Sequence, residues 1–245
     1  MRRGASRVSY FETYRNVSCQ TRYFDRYRNE LPLQGPSPCL SCPDMDDLRR
    51  DIAACRICAA RFAATQTRHR PNPVVWFRPE ARLLIASQAP GLRVHEANTP
   101  FWDQSGKRLR DWLGLDEAAF YDRTRVAIVP MAFCFPGYDA KGSDLPPPPV
   151  CARTWRQGVM DGLPRIRLTV LIGGYAQKWH LGTKANVTDT VRGWRDHAPH
   201  VFPLPHPSWR NTAWLKKNPW FEAELLPVLR ARVQEVMHDR DDPAG

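Results

Sequence analysis

The chain has no apolar run approaching the ~20 residues that a membrane-spanning helix needs; the stretches that exist, such as 170–176, are short. Its N-terminus carries basic residues with no apolar segment behind them, so no secretory signal is expected. Integral-membrane and exported classes are therefore not expected. Acidic residues are in short supply: 25 Asp+Glu against 36 Lys+Arg leave a net charge of +11 and a sequence pI of about 9.7. That imbalance calls for an anionic partner, nucleic acid ahead of an anionic membrane. No internal repeat is visible. Cysteines are few and odd in number, seven in 245 residues, and the chain is too long to need disulfide staples. What is ample is core material: 42% hydrophobic and 11% aromatic residues exclude disorder of the whole chain and fit one large domain.

Residues 1–45 differ from the rest. Segment 1–30 holds seven Arg against three acids, interleaved with Tyr10, Phe11, Tyr14, Tyr23, Phe24 and Tyr27. A Pro-rich break follows. The segment reads as a poorly ordered extension, or as a basic aromatic arm that lies on nucleic acid. From Asp46 a helix is expected, with acids in its first turn and Leu48, Ile52 and Cys55 at helical spacing. Apolar runs at 82–87, 124–130, 168–174 and 200–205 then alternate with helical candidates at 106–113, 151–163, 175–181, 188–194 and 219–237. Strands alternating with helices predict a three-layer α/β/α fold around a short, mostly parallel sheet of about four strands, over 46–238, with 239–245 as a tail. Ligands of such sheets sit beyond the carboxyl ends of the strands, so chemistry is sought in the loops there.

The loop after the first run reads Ser87-Gln88-Ala89-Pro90-Gly91, a tight turn that presents backbone N–H groups and one polar side chain. Phe101 follows in the same loop region; an aromatic there is core or a stacking platform for a base. The loop after the last run reads Pro205-His206-Pro207-Ser208-Trp209-Arg210-Asn211, in which two prolines hold the His206 ring on a rigid backbone. Among the cysteines, Cys39/Cys42 and Cys55/Cys58 form C-x-x-C pairs, a spacing that suggests metal more than disulfides in an intracellular protein, while Cys19, Cys134 and Cys151 are single.

Together the two loops resemble those of the uracil-DNA glycosylase superfamily, whose motif A is a Pro-Gly turn after the first strand and whose motif B is His-Pro-Ser after the last. The likeness is closest to family 4, the iron–sulfur type, since Pro100-Phe101, Gly106 and Leu109 fall in that family's register. The likeness covers roughly 46–233. It implies a DNA glycosylase of base excision repair: a hydrolase that removes uracil or a related deaminated base once the nucleotide is turned out of the duplex. In that reading Gln88 positions the water and His206 donates to the base carbonyl, while Ala89, Pro90, Gly91, Phe101 and Ser208 surround the base. Trp209, Arg210, Asn211 and Lys216 contact DNA. Arg93, Lys107, Arg108 and Arg110 flank motif A as further candidates for phosphates. The resemblance also implies a 4Fe–4S cluster on Cys55, Cys58, Cys134 and Cys151, with zinc on the same four cysteines as the alternative. A monomer in the cytoplasm, associated with the nucleoid, is expected.

Two departures stand out. Family 4 carries Glu where Gln88 stands, and Asn, which reads the uracil edge, where Pro130 stands. Weaker or broader base selectivity is expected, or another substrate such as xanthine or hypoxanthine. Two other readings remain open on sequence: a DNA-binding protein of the same fold with little or no turnover, and a nucleotide- or cofactor-binding α/β protein with a four-cysteine zinc site.

Overall fold

The structure, a computed structural model, describes residues 44–238. The expectations for the basic arm, for Cys19, Cys39 and Cys42, and for the 239–245 tail lie outside those residues.

The chain enters through helix α1 (Met45–Ala54), one residue ahead of its predicted start. The Asp44 side chain caps it by accepting from the Asp46 N–H, and Leu48 and Ile52 face inward. The elements that follow are α2 (Ala59–Ala63), β1 (Leu83–Ser87), α3 (Leu92–Ala97), α4 (Gln104–Leu113), α5 (Glu117–Tyr121) and β2 (Val126–Pro130). Helix α6 runs through the segments Pro149–Cys151, Ala152–Arg156 and Gln157–Asp161, the middle one a π turn. Then come β3 (Leu168–Ile172), α7 (Gly173–Leu181), α8 (Val187–Arg192), β4 (Val201–Leu204) and α9 (Thr212–Lys217). Helix α10 closes the described residues, Phe221–Leu225 leading into Leu226–His238.

The four strands form one sheet in the order β2-β1-β3-β4, and every neighbouring pair is parallel. Every strand residue is buried, which is why the strands read as unbroken apolar runs. The two strands that contain proline, at Pro130 and Pro203, are the two edge strands, where a missing N–H is tolerated.

Alternation along the strands divides the core. Leu83 and Ile85, Val126 and Ile128, Leu168, Val170 and Ile172, and Phe202 and Leu204 pack on one face against α4, α5 and α10. Ala86, Leu171 and Val201 face the other way, toward Ala176 of α7. The expected three-layer α/β/α fold is the fold observed, with a sheet that is wholly rather than mostly parallel. Among the described residues no helix is long and apolar enough to cross a membrane.

Candidate active site

The strands deliver their carboxyl ends to a cleft of about 480 Å³. The alternation that builds the core also selects which residues line it. Ser87 continues the face of Leu83 and Ile85, and Pro130 continues that of Val126 and Ile128; both line the cleft. Past the end of β4, His206 completes the series begun by Phe202 and Leu204 and also lines it. Beneath it, a Cβ on Gly173, whose φ is +77°, would meet the His206 Cβ at 4.0 Å.

The His206 ring is held in one protonation pattern. The Ser208 N–H donates to its Nδ1 at 3.2 Å, so in the neutral ring the proton sits on Nε2. Burial pushes its pKa below the ordinary imidazole value, against the opposing pull of Asp103. The result is a neutral imidazole with Nε2–H as its donor. Two side chains fix the loop around it: Asn211 Nδ2 donates to the His206 carbonyl at 2.7 Å, and Arg108 of α4 donates to the Ser208 carbonyl at 3.0 Å.

Phe101 lines the cleft from a strained turn. Its φ is +54°, a left-handed conformation rarely adopted by a bulky residue. Two features hold it there. The Tyr121 hydroxyl, which donates at 3.1 Å to the Pro100 carbonyl, also lies 3.3 Å from the Phe101 carbonyl. Gly106 lies so close that a Cβ there would sit 1.7 Å from the Phe101 carbonyl oxygen. The ring packs edge-on against Phe120, with centroids 6.2 Å apart.

Ala89, Pro90, Gly91 and Ser208 line the cleft as expected from the sequence. Gln88 does not: the residues of its turn that line the cleft are its neighbours, and Gln88 offers its carbonyl to the Ala132 N–H at 3.1 Å. Two carboxylates do line the cleft, Asp103 and Asp144, and neither was singled out in the sequence; Asp103 is the one whose charge acts on His206. The Oδ1 of Asp103 accepts from the Gly106 N–H at 2.9 Å, which caps α4, and its charge reaches both His206 and Asp144. Asp144 lines the cleft from the 137–145 loop, where burial pushes its carboxyl up.

Trp209 and Arg210 stand at the rim, Trp209 72% exposed, with the guanidinium 6.0 Å from its ring centroid. Arg93 joins them. Lys216 lies exposed in the last turn of α9. Asn211, expected on DNA, has its amide committed to the His206 carbonyl. Arg108 and Arg110, expected near phosphates, make internal contacts: Arg108 to motif B, and Arg110 to the Glu117 carboxylate and the faces of Phe120 and Tyr121.

Cys55, Cys58, Cys134 and Cys151 are brought together around a second, small and largely apolar pocket, with Phe62, Pro148 and Trp155 beside them. Cys55 and Cys58 are not on a helix, as the spacing had suggested: Cys55 ends α1, Cys58 precedes α2, and the pair occupies the turn between. Burial pushes the Cys134 and Cys151 thiols up to about 12 each. The Phe133 N–H donates to Cys151 Sγ at 3.4 Å, and the Asn72 backbone opposes the rise at Cys134. Asn72 also donates through its side chain to the His95 carbonyl in α3, at 2.7 Å, so it links the cysteine pocket to the helix that follows motif A. Among the described residues no group of three or more His, Cys, Asp or Glu side chains is drawn in tightly enough to hold a single metal ion. Four thiols on one apolar pocket, one of them accepting from a backbone N–H, are a donor set that suits an iron–sulfur cluster.

A family model of the uracil DNA glycosylase superfamily matches residues 74–230. The match spans the sheet, the cleft, Cys134 and Cys151, and begins after Cys55 and Cys58.

Proposed function

Because the chain belongs to the uracil DNA glycosylase superfamily, we propose that its cleft hydrolyses the N-glycosidic bond of a deaminated base in DNA. The observation that carries this reading is the meeting of an aromatic ring, a neutral imidazole with its donor nitrogen fixed, and a carboxylate in one cleft: Phe101, His206 and Asp103.

The nucleotide is turned out of the duplex and its base lies on Phe101, which supplies flat apolar area. The bond from C1′ to the base nitrogen then breaks, and its electron pair leaves with the base. Nε2–H of His206 donates to the base carbonyl as negative charge builds there. One oriented donor in a dry site is commonly worth ~3 kcal/mol of barrier. A water oxygen joins C1′, and the Asp103 carboxylate orients that water and accepts its proton. Gln88, with neither charge nor a place in the cleft wall, is left without the water-positioning task. Trp209 enters the duplex, and Arg93, Arg210 and Lys216 meet phosphates, so binding weakens steeply with salt.

Formation of alkali-labile abasic sites in uracil-, hypoxanthine- and xanthine-containing single and double strands tests the proposal. Cleavage of the damaged strands alone supports it. Binding without cleavage would favour a DNA-binding protein of the same fold. The pH profile has a definite sign. The competent imidazole is neutral and its pKa is lowered, so the rate is expected to hold above the ordinary value of 6.5 and to fall as the pH drops through His206's own lower pKa. A rate that rises on acidification would contradict the assignment.

Cys55, Cys58, Cys134 and Cys151 would hold a 4Fe–4S cluster, as in the family 4 type. When bound, such a cluster cross-links the α1–α2 turn to the loop after β2 and to α6. Protein purified anaerobically is expected to be brown, with iron and acid-labile sulfide in equal amounts. A colourless protein with one zinc ion would overturn the assignment in favour of a structural zinc site.

A further inference from the structure

Position 130 offers nothing to a base. Proline has no side-chain donor or acceptor and no N–H, and the Pro130 carbonyl accepts at 3.0 Å from the buried Arg156 guanidinium. Its partner across the sheet is Ser87: the two are paired in the parallel register of β1 and β2. Neighbouring strands lie about 4.8 Å apart, and equivalent residues of a parallel pair point to the same face. Ser87 is 6% exposed and, with Pro130, Ile128 and Val74, lines the floor of the cleft. Among the described residues no hydrogen bond engages its hydroxyl.

We propose that the Ser87 hydroxyl reads the edge of the extruded base in place of a side chain at position 130, and that the site therefore accepts deaminated bases of both ring sizes. A hydroxyl rotates. It donates to an exocyclic carbonyl or accepts from a ring N–H, one bond at a time. An amide offers a fixed donor and acceptor side by side and rejects a base that does not match both. One rotating bond therefore discriminates weakly among uracil, hypoxanthine and xanthine, while an unfilled hydroxyl on an apolar floor still disfavours a base with no polar edge. The inference rests on the glycosylase reading of the cleft and adds to it the residue that sets its selectivity.

The test is single-turnover excision from duplexes carrying each of the three bases, by wild type, Ser87→Ala and Pro130→Asn. The wild type is expected to release all three at rates within about tenfold of one another. Ser87→Ala is expected to slow release about tenfold, the worth of one hydrogen bond, with affinity for abasic-site DNA unchanged as the control for folding. Pro130→Asn restores an amide beside Ser87 and is expected to sharpen preference for one base. Ser87→Ala rates within twofold of wild type on every base would overturn the assignment while leaving the glycosylase reading intact. If the wild type releases no base, that reading fails and binding decides the assignment alone. Ser87→Ala must then bind duplex DNA carrying 2′-fluoro-2′-deoxyuridine, whose glycosidic bond resists hydrolysis, about tenfold more weakly than wild type, with equal affinity for undamaged duplex. Equal affinity for both duplexes overturns it.

Discussion

Asp103→Asn is expected to lower single-turnover base release about 100-fold or more, whereas Gln88→Ala is expected to change it less than about threefold. A positioned proton acceptor contributes a factor of roughly 10² to 10⁴. We assign that task to Asp103, which lines the cleft and whose charge acts on His206. Asparagine is the informative replacement because Asp103 has two jobs. Its Oδ1 caps α4 on the Gly106 N–H, and the amide oxygen of Asn preserves that cap, so the fold survives while the charge and the proton acceptor are lost. Asp103→Ala would remove both, with about 1 kcal/mol of stability lost alongside the rate. The charge also raises the His206 pKa, so the acid limb of the pH profile should move to lower pH in Asp103→Asn. A large loss in Gln88→Ala beside a small one in Asp103→Asn would return the water-positioning role to motif A.

Gly106→Ala is expected to be the most damaging of the small substitutions. A Cβ there would lie 1.7 Å from the Phe101 carbonyl oxygen and 2.7 Å from its carbonyl carbon, backbone atoms that a rotamer change cannot move. Either α4 shifts outward or the Phe101 turn gives up its φ of +54°. Overpacking of this kind costs about 3 kcal/mol or more, roughly 10 °C in Tm for a domain of this size. If the turn yields instead of the helix, the ring on which the base lies is displaced, and activity falls further than stability. Gly91→Ala is the matched control: no atom lies within 4 Å of its added Cβ, so thermal denaturation should not distinguish it from wild type. Comparable melting of Gly106→Ala and Gly91→Ala would show that the Phe101 turn is not packed as described.

The sheet and its long helices were legible because wholly buried parallel strands read as continuous apolar runs, broken by helical spacing. Helices α2, α3, α5 and α9 were not: at five or six residues they are too short to display a period. Phe101 and His206 were singled out through short motifs, and the structure sets both in one cleft. Gln88 was singled out as the polar side chain of the motif A turn, and the structure lines the cleft with its neighbours Ser87 and Ala89. Asp103, which we assign to the water, was not singled out, although an acid three residues before Gly106 at a helix start is the signal of an N-cap. The four cysteines grouped by likeness line one pocket. The turn that carries the first pair was not visible, because Cys55 extends the apolar spacing of α1 by one more residue. Ser87 gains meaning only from the register of β1 with β2, which no local sequence feature encodes.

The most direct measurement of what the cleft does is mass-spectrometric detection of free base released from a uracil-containing duplex under single-turnover conditions, by wild type and by His206→Ala. We expect the wild type to liberate free uracil and leave an intact strand with an abasic site, and His206→Ala to do so about 100-fold more slowly while binding the duplex equally well. No free base from the wild type on uracil, hypoxanthine or xanthine, or equal release by the two proteins, would contradict the assignment of this cleft.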